Sequence, residues 1–286
     1  MGSLKALTLA SVVAVAAVQA AHAADLLPPP PPLEAPLRGP IEDFGFYLRG
    51  DVGVGLNEAS GLHSTFGTGV TLADLGAWDG PVNVGDSSLV GIGAGYQFNN
   101  WFRADVTGEY RSSASYNSKV YYQYSTGGNC PVGGPTNCGD AYNGLLRSGL
   151  FLANGYFDLG TWNGITPYIG GGLGFVTYGM SGLTDISMSQ PNGYGVAPNN
   201  NSANFAWALM AGAAFHVTPN LLLDMSYRYV NMGTFNTAGI ACNGGASTGC
   251  AYEAQHFNMA SNDIRVGLRW LVAGPVYAEP VVRAKY

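Results

Sequence analysis

Residues 102–111 alternate strictly between two kinds of side chain. The even positions are apolar or neutral, whereas the odd positions are polar and include the charged residues Arg103, Asp105, Glu109 and Arg111. Because successive side chains of a β-strand point to opposite faces, this segment predicts a strand with one apolar face and one ionic face. Such a strand needs a different environment on each face, and this requirement constrains the whole fold.

The same period-two pattern recurs along the chain and predicts eight strands. They span residues 46–56, 89–98, 102–111, 147–159, 168–178, 205–217, 221–230 and 263–272. The connections after the second, fourth and sixth strands are short, whereas those after the first, third, fifth and seventh span 26 to 35 residues. An even number of alternating segments with short turns at one end and long loops at the other is typical of outer-membrane barrels. We therefore expect an all-β fold, an eight-stranded antiparallel up-and-down transmembrane β-barrel.

The ionic face of the predicted strands carries matched numbers of basic and acidic side chains. It contains six arginines and six carboxylates: Arg49, Arg103, Arg111, Arg228, Arg265 and Arg269, with Asp51, Asp105, Glu109, Asp158, Asp224 and Asp263. An Arg side chain that faces the bilayer midplane costs about 2–4 kcal/mol, so the ionic face has to point inward. Eight strands enclose a space just wide enough for side chains to fill. We therefore predict a packed salt-bridge network in the lumen instead of an open channel.

The composition agrees with this orientation. Lysine occurs only at Lys5, Lys119 and Lys285, and charged residues make up 10% of the chain. A β-protein that faces water uses Lys and Glu to stay soluble and to protect its sheet edges. The scarcity of charge predicts an outer surface that meets lipid. The formal net charge of −6 argues against a nucleic-acid partner.

The ends of the chain suggest an exported protein. Residues 1–23 resemble a signal peptide, with Lys5 before an apolar run and Ala21-His22-Ala23 as a cleavage signature. Residues 24–42 form a Pro-rich segment, which we expect to be a periplasmic spacer. Residues 43–272 would form the barrel with four long extracellular loops, and residues 273–286 a periplasmic tail.

The four cysteines form two local pairs, Cys130 with Cys138 and Cys242 with Cys250. Export leads to an oxidising compartment, so we expect disulfides. Three connectivities are open, and proximity favours the local one. A zinc site is the weaker alternative, because the chain has no C-x-x-C motif.

Residues suited to catalysis or metal binding are few, and we expect no catalytic residue, no cofactor and no metal. His216 lies near Asp224 in the predicted barrel and could act as a general base, but a structural histidine is the simpler interpretation. His63 and His256 fall in predicted loops and could contribute to haem or metal binding, although solvent-exposed histidines without a role are more common.

Several motifs together resemble the small outer-membrane proteins of alphaproteobacteria, a branch of the outer-membrane-protein-A-like (porin-family) barrels. They are residues 46–53 (FYLRGDVG), 167–174 (PYIGGGLG), 226–229 (SYRY), 263–270 (DIRVGLRW) and the terminal 281–286 (VVRAKY). The resemblance implies an outer-membrane location, periplasmic termini, external loops and no catalytic residues. It also implies contact with outer-membrane lipid and lipopolysaccharide, and with the barrel-assembly machinery during biogenesis. The chain ends soon after the last strand, so we expect no peptidoglycan-binding domain.

Three functions fit these observations. The first is a structural barrel that contributes to envelope integrity, displays its loops and has at most a narrow pore. The second is a ligand-binding or adhesive surface protein for haem or a host surface, for which the tyrosines of residues 112–145 would offer contact area. The third is a lipid A-modifying barrel enzyme. His216 argues against the enzyme, since it lies at the predicted periplasmic end.

Overall fold

The computed structural model describes residues 41–42, 44–66, 77–122, 139–188, 193–242, 253–272 and 276–277. The predicted signal peptide and three cysteines, Cys130, Cys138 and Cys250, lie outside the described residues. Signal cleavage and both disulfides therefore stay predictions. Within the described ranges, no helix is long and apolar enough to cross a membrane.

Eight long strands form the wall of the fold. They are β1 (Gly45–Phe66), β2 (Ser87–Asn99), β3 (Phe102–Tyr122), β4 (Gly139–Asp158), β5 (Ile165–Ser187), β6 (Asn200–Thr218), β7 (Leu221–Asn236) and β8 (Glu253–Leu271). Each strand pairs antiparallel with its neighbours in the sequence, and β8 pairs with β1. The sheet thus closes into an eight-stranded up-and-down barrel, as predicted, and closure removes the long sheet edges.

Five short strands accompany the barrel. Ala77–Val84 pairs with the far end of β3, and Tyr194–Val196 pairs with both β5 and Ala241–Cys242. Ile41–Glu42 and Val276–Tyr277 pair with each other in a separate two-stranded sheet. We call the end of the barrel with the tight turns, such as Pro219–Asn220, the lower end, and the end with the long connections the upper end.

The strands reach further up than the alternation predicted. β3 ends at Tyr122 and not at residue 111, and β8 begins at Glu253 and not at residue 263. The reason is an exchange of faces: in the upper part, apolar side chains such as Tyr116 point inward and are buried, whereas Asn117 and Lys119 are exposed. The prediction required apolar residues on the outward face, so these extensions were assigned to loops.

Glycine bulges accompany this exchange in three strands. Gly61 in β1, Gly182 in β5 and Gly233 in β7 have φ angles of 62°, 62° and 73°. This left-handed conformation suits glycine, and each bulge coincides with a register shift against a neighbouring strand. One extra residue reverses the parity of the inward positions. In β5 the buried residues change from even numbers, ending at Met180, to odd numbers, starting at Leu183.

The outward face of the lower part is covered by exposed apolar side chains. On β1, the exposed residues are Phe46, Leu48, Val52, Val54 and Leu56. At about 3.3 Å per residue and a tilt of about 40°, this stretch spans about 25 Å in height. That is the height of the lipid-facing band of a membrane barrel, and a water-exposed surface of this kind would be unstable against aggregation.

Aromatic rings mark the lower edge of the apolar band. Trp101 stacks on Phe157 with ring centroids 5.9 Å apart, and Phe98 stacks on Phe102 at 5.4 Å. Trp270 is exposed near the lower end of β8. Aromatic rings at this height are typical of a membrane interface.

The orientation of the two faces is testable at Val266, which points outward from β8 near the middle of the band. The substitution Val266→Arg should destabilise the folded barrel by about 2–4 kcal/mol, because the guanidinium would face hydrocarbon. Urea unfolding of the refolded protein in lipid vesicles measures this difference. Ser60→Arg, on the exposed outward face of β1 above the band, is the matched control and should change stability little. Equal effects of the two substitutions would contradict the assigned faces.

Candidate functional site

The twelve charged residues predicted for the lumen all lie inside the barrel. Each is 0–7% exposed, so bulk water has almost no access to the network. β1, β3, β7 and β8 supply eleven of them, and β4 supplies Asp158. Six guanidinium groups face six carboxylates, and this balance is what a closed space of low polarity requires.

The strongest part of the network lies between β3, β7 and β8. Arg228 Nη2 lies 2.7 Å from Glu109 Oε2 and 2.6 Å from Asp263 Oδ2. Arg111 Nη2 lies 2.6 Å from Asp263 Oδ1, and its Nη1 lies 3.3 Å from Glu109 Oε1. The Ser261 hydroxyl donates a further hydrogen bond to Asp263 at 2.6 Å. Two arginines therefore share two carboxylates, which links three strands across the lumen.

A second part joins β1 to β3 and β4. Arg49 donates to both oxygens of Asp51, at 2.9 and 2.7 Å, and its Nη1 donates to Asp105 Oδ2 at 3.0 Å. Asp105 also accepts hydrogen bonds from the Tyr47 hydroxyl at 3.1 Å and from Asn154 Nδ2 at 2.7 Å. Such charge-assisted and bidentate bonds are the strong ones in a dry interior.

Arg103 is held mainly by aromatic rings. Its guanidinium carbon lies 4.1 Å from the centroid of Tyr156 and 4.4 Å from that of Tyr168. Its Nε donates to Asp158 at 3.2 Å, whereas Nη1 and Nη2 have no hydrogen-bond partner within the described residues. Because the ring faces carry partial negative charge, this sandwich favours the buried cation.

The remaining arginines are paired more loosely. Arg265 lies 3.5 Å from Asp51 and 3.9 Å from Glu109, and Arg269 Nε lies 3.3 Å from Asp224 Oδ2. The contact between Arg269 and Asp224 has no hydrogen-bond geometry, since Arg269 Nε and both Asp224 oxygens are buried without a hydrogen-bond partner in the described part of the chain, and Arg265 Nε likewise has none there. The network is therefore tight around Arg111, Arg228 and Arg49 and looser around Arg265 and Arg269.

Glycines leave room for these long side chains. A Cβ added at Gly55 would collide with the Arg111 guanidinium, and one at Gly267 would collide with the Asp51 carboxylate. A substitution at either position would displace a charged group from its partner. The network therefore requires glycine at these two positions.

The opposite side of the lumen is apolar, which the sequence analysis missed. The inward residues of β4, β5 and β6 include Leu150, Leu152, Val176, Ala206, Ala208 and Met210. The same cluster extends through the upper end, where Tyr178 stacks on Phe235 at 3.8 Å and Tyr116 on Phe257 at 5.0 Å. The sequence does indicate the upper part of this cluster on β3, because Ala114, Tyr116 and Val120 alternate with polar residues beyond residue 111.

Two carboxyl groups are buried in the upper part, outside the apolar band. Burial, followed by the negative charges of Asp140 and Glu253, raises the pKa of Asp185 to about 8. Burial also raises the pKa of Glu253 to about 7, although the Tyr142 hydroxyl opposes the shift by donating to its Oε2 at 2.7 Å. Asp185 is therefore mostly protonated at neutral pH, and the pKa of Glu253 lies close to neutral pH.

The structure corrects the expected position of two histidines. His63 and His256 lie in β1 and β8, directly opposite each other, and not in loops. His63 Nδ1 lies 3.8 Å from Asp79, and His256 Nδ1 lies 2.6 Å from Asn236 Oδ1. His216 pairs with Leu222 near the lower end of β6. No group of three or more His, Cys, Asp or Glu among the described residues is arranged to hold a metal ion.

The strength of the shared ion pairs can be measured at Arg228. Arg228→Gln should reduce the free energy of unfolding by about 3–5 kcal/mol, because Glu109 and Asp263 would stay buried with only Arg111 as a close partner. Arg265→Gln is the matched control and should cost clearly less, given its longer contacts. Urea unfolding in lipid vesicles compares the two, and a larger loss for Arg265→Gln would refute the ranking.

The upper end should be most stable at low pH. Asp185 and Glu253 have higher pKa values in the folded than in the unfolded chain, so stability is fully present below about pH 4 and is lost as the pH rises through about 7 to 8. Hydrogen exchange of residues 183–187 should accelerate between about pH 4 and about pH 8 beyond the intrinsic chemical effect. Asp185→Asn should weaken this dependence, and an unchanged profile would show that Asp185 does not cause it.

Comparison with known proteins agrees with this geometry. The family described as outer membrane protein beta-barrel domain matches residues 8–268. An uncharacterised Brucella abortus protein is 34% identical over 240 residues, which covers 79% of this chain and 80% of the relative. Outer membrane protein PagN of Salmonella typhimurium is 27% identical over 238 residues, 79% of this chain and 89% of the relative. Among solved structures, OprG of Pseudomonas aeruginosa has a TM-score of 0.47 and 15% identity, over 80% of this chain and 97% of its own. The family model, which matches residues 8–268, shows that the chain belongs to the family of outer membrane proteins built on a β-barrel domain.

Proposed function

We propose that this protein is a structural, non-enzymatic barrel that contributes to envelope integrity and displays its upper connections outside the cell. The observation that carries this proposal is the filled lumen. An ionic network occupies one side of the interior and an apolar cluster the other. Such packing favours a rigid wall, and it leaves at most a narrow path for solutes.

We further propose that both ends of the barrel domain face the periplasm. An even number of antiparallel strands brings residues 44 and 272 to the same, lower end. In membrane barrels short turns are periplasmic and long connections are extracellular. Removal of residues 1–23 and delivery to the barrel-assembly machinery would then precede insertion, and lipid with lipopolysaccharide would surround the apolar band.

The absence of enzymatic activity is part of the proposal. A lipid A-modifying enzyme would need its catalytic residues at the outer rim, next to the outer leaflet. His216, the histidine considered above as a general base, lies in β6 two residues before its lower end at Thr218. Its position near the proposed periplasmic turn supports a structural role.

A ligand-binding or adhesive surface is the second candidate, and exposed apolar residues at the upper end favour it. Trp78 is 48% exposed and packs against Tyr121 at 5.9 Å, and Tyr194 and Ile186 are 55% and 51% exposed. They lie above the lipid-facing band, and exposed apolar groups outside lipid often mark a contact surface. Binding of haem and of purified host-matrix proteins to the Trp78→Ala variant and to the unaltered protein tests this candidate.

The filled lumen predicts very low ion conductance. The purified protein in planar bilayers should show no stable porin-like channels, since the interior side chains block a continuous water path. Replacing both Tyr156 and Arg103 by Ala should raise conductance, because it removes the cation and one of the two rings that close the lower half. Large channels in the unaltered protein would refute the proposed structural role, and heat-modifiable gel migration verifies that each sample is folded.

A further inference from the structure

We propose that the outer wall of the barrel carries a binding site for the phosphate group of an outer-leaflet glycolipid, centred on Arg147. The proposal rests on the proposed orientation, in which the upper end of the barrel faces the outside. The apolar band indicates that lipid surrounds the wall, and the Arg147 site adds the position at which one lipid headgroup binds.

Charge distribution singles out Arg147. The described residues include eight Lys and Arg side chains, of which six form the lumen network and are buried. The other two, Lys119 on β3 and Arg147 on β4, are exposed on the outward face. Arg147 forms no ion pair with a described residue. A wall almost devoid of cations thus presents one guanidinium without an acidic partner.

The height of Arg147 matches the phosphate layer of the outer leaflet. Arg147 precedes Asp158, the lower end of β4, by 11 residues. At about 3.3 Å per residue and a tilt of about 40°, it lies about 28 Å above that end, at the upper edge of the apolar band. Lipid phosphates lie where hydrocarbon gives way to water, which is this position.

A groove of about 560 Å³ adjoins the guanidinium. Gly149 and Gly179 contribute no side chains to it, and Ala203 contributes only a methyl group. Gly179 lies opposite Arg147 on β5, and a Cβ at Gly179 would lie 3.6 Å from Arg147 Nε and 2.5 Å from Asn201 Oδ1. The Arg147 guanidinium therefore extends over β5. The side chains of Arg147 and Asn201 both border the part of the groove that Gly179 forms.

The lower side of the groove suits lipid. Tyr110, which lines the groove, is 55% exposed. Below it, Phe151 stacks on Phe175 with ring centroids 5.0 Å apart, and Phe205 is 64% exposed. A guanidinium binds phosphate through parallel N–H donors, and acyl chains pack on exposed rings. Both chemistries in one place favour a phosphorylated glycolipid over a free anion, which would gain nothing from the aromatic surface.

Native mass spectrometry of the full chain in detergent tests the site. The probes are bisphosphorylated lipid A and the same lipid A after removal of its phosphates. We expect one phosphorylated lipid A to be retained, and Arg147→Gln should weaken its binding at least about tenfold, as loss of a charged hydrogen bond implies. Arg147→Lys should keep part of the affinity. Lys119→Gln removes the same charge from the neighbouring strand and should change binding little.

Three results would overturn the proposal: equal retention of dephosphorylated lipid A, equal weakening by Arg147→Gln and Lys119→Gln, and displacement of lipid A by millimolar inorganic phosphate. The last would indicate a free-anion site instead of a lipid site. Arg147 is exposed, so its variants should fold and remain closed to ions. If lipid A does not bind and the conductance is low, only the Arg147 site is refuted. If the conductance is high, the proposed structural role is refuted.

Discussion

The charge balance inside the barrel is the constraint on which the remaining structure depends. A guanidinium or carboxylate removed from water is stable only when its opposite lies within contact distance, and six of each occupy a space that eight strands just enclose. The balance forces glycine at crowded positions such as Gly55 and Gly267, where any side chain would displace a charged group. It also forces the apolar residues of the same strands outward, which makes lipid the solvent of the outer wall.

Above the lipid-facing band the solvent outside changes to water, and the strands respond by exchanging their faces. The bulges at Gly61, Gly182 and Gly233 reverse the parity of inward positions without ending the strands. The wall continues upward with apolar residues inside and polar residues outside, as in a water-soluble barrel. The lower part of the wall thus presents apolar residues to lipid, and the upper part presents polar residues to water. The buried acids Asp185 and Glu253 lie in the upper part.

The lower part of the barrel could be predicted from the sequence because one rule, apolar residues facing lipid, governs every strand there. That rule placed Arg49, Arg228 and the other network residues inside and gave the correct strand count. It failed above Leu56 and Arg111, where the rule inverts, and so the upper strands and the strand positions of His63 and His256 were missed. The apolar inward residues of β4, β5 and β6 were missed because the rule describes only the outward face. Individual partners, such as the shared contact of Asp263 with Arg111 and Arg228, depend on strand register and barrel shear, which alternation alone does not specify.

Shared partners also restrict how such an interior can diverge. Because Asp263 serves Arg111 and Arg228 while Glu109 serves the same two arginines, replacing any one of the four leaves an odd charge among the others. Single substitutions at these four positions are therefore not neutral. Descendants that lose it should do so through compensated exchanges, so these four positions should covary in homologous sequences, whereas the looser Arg269 and Asp224 can change with less mutual dependence.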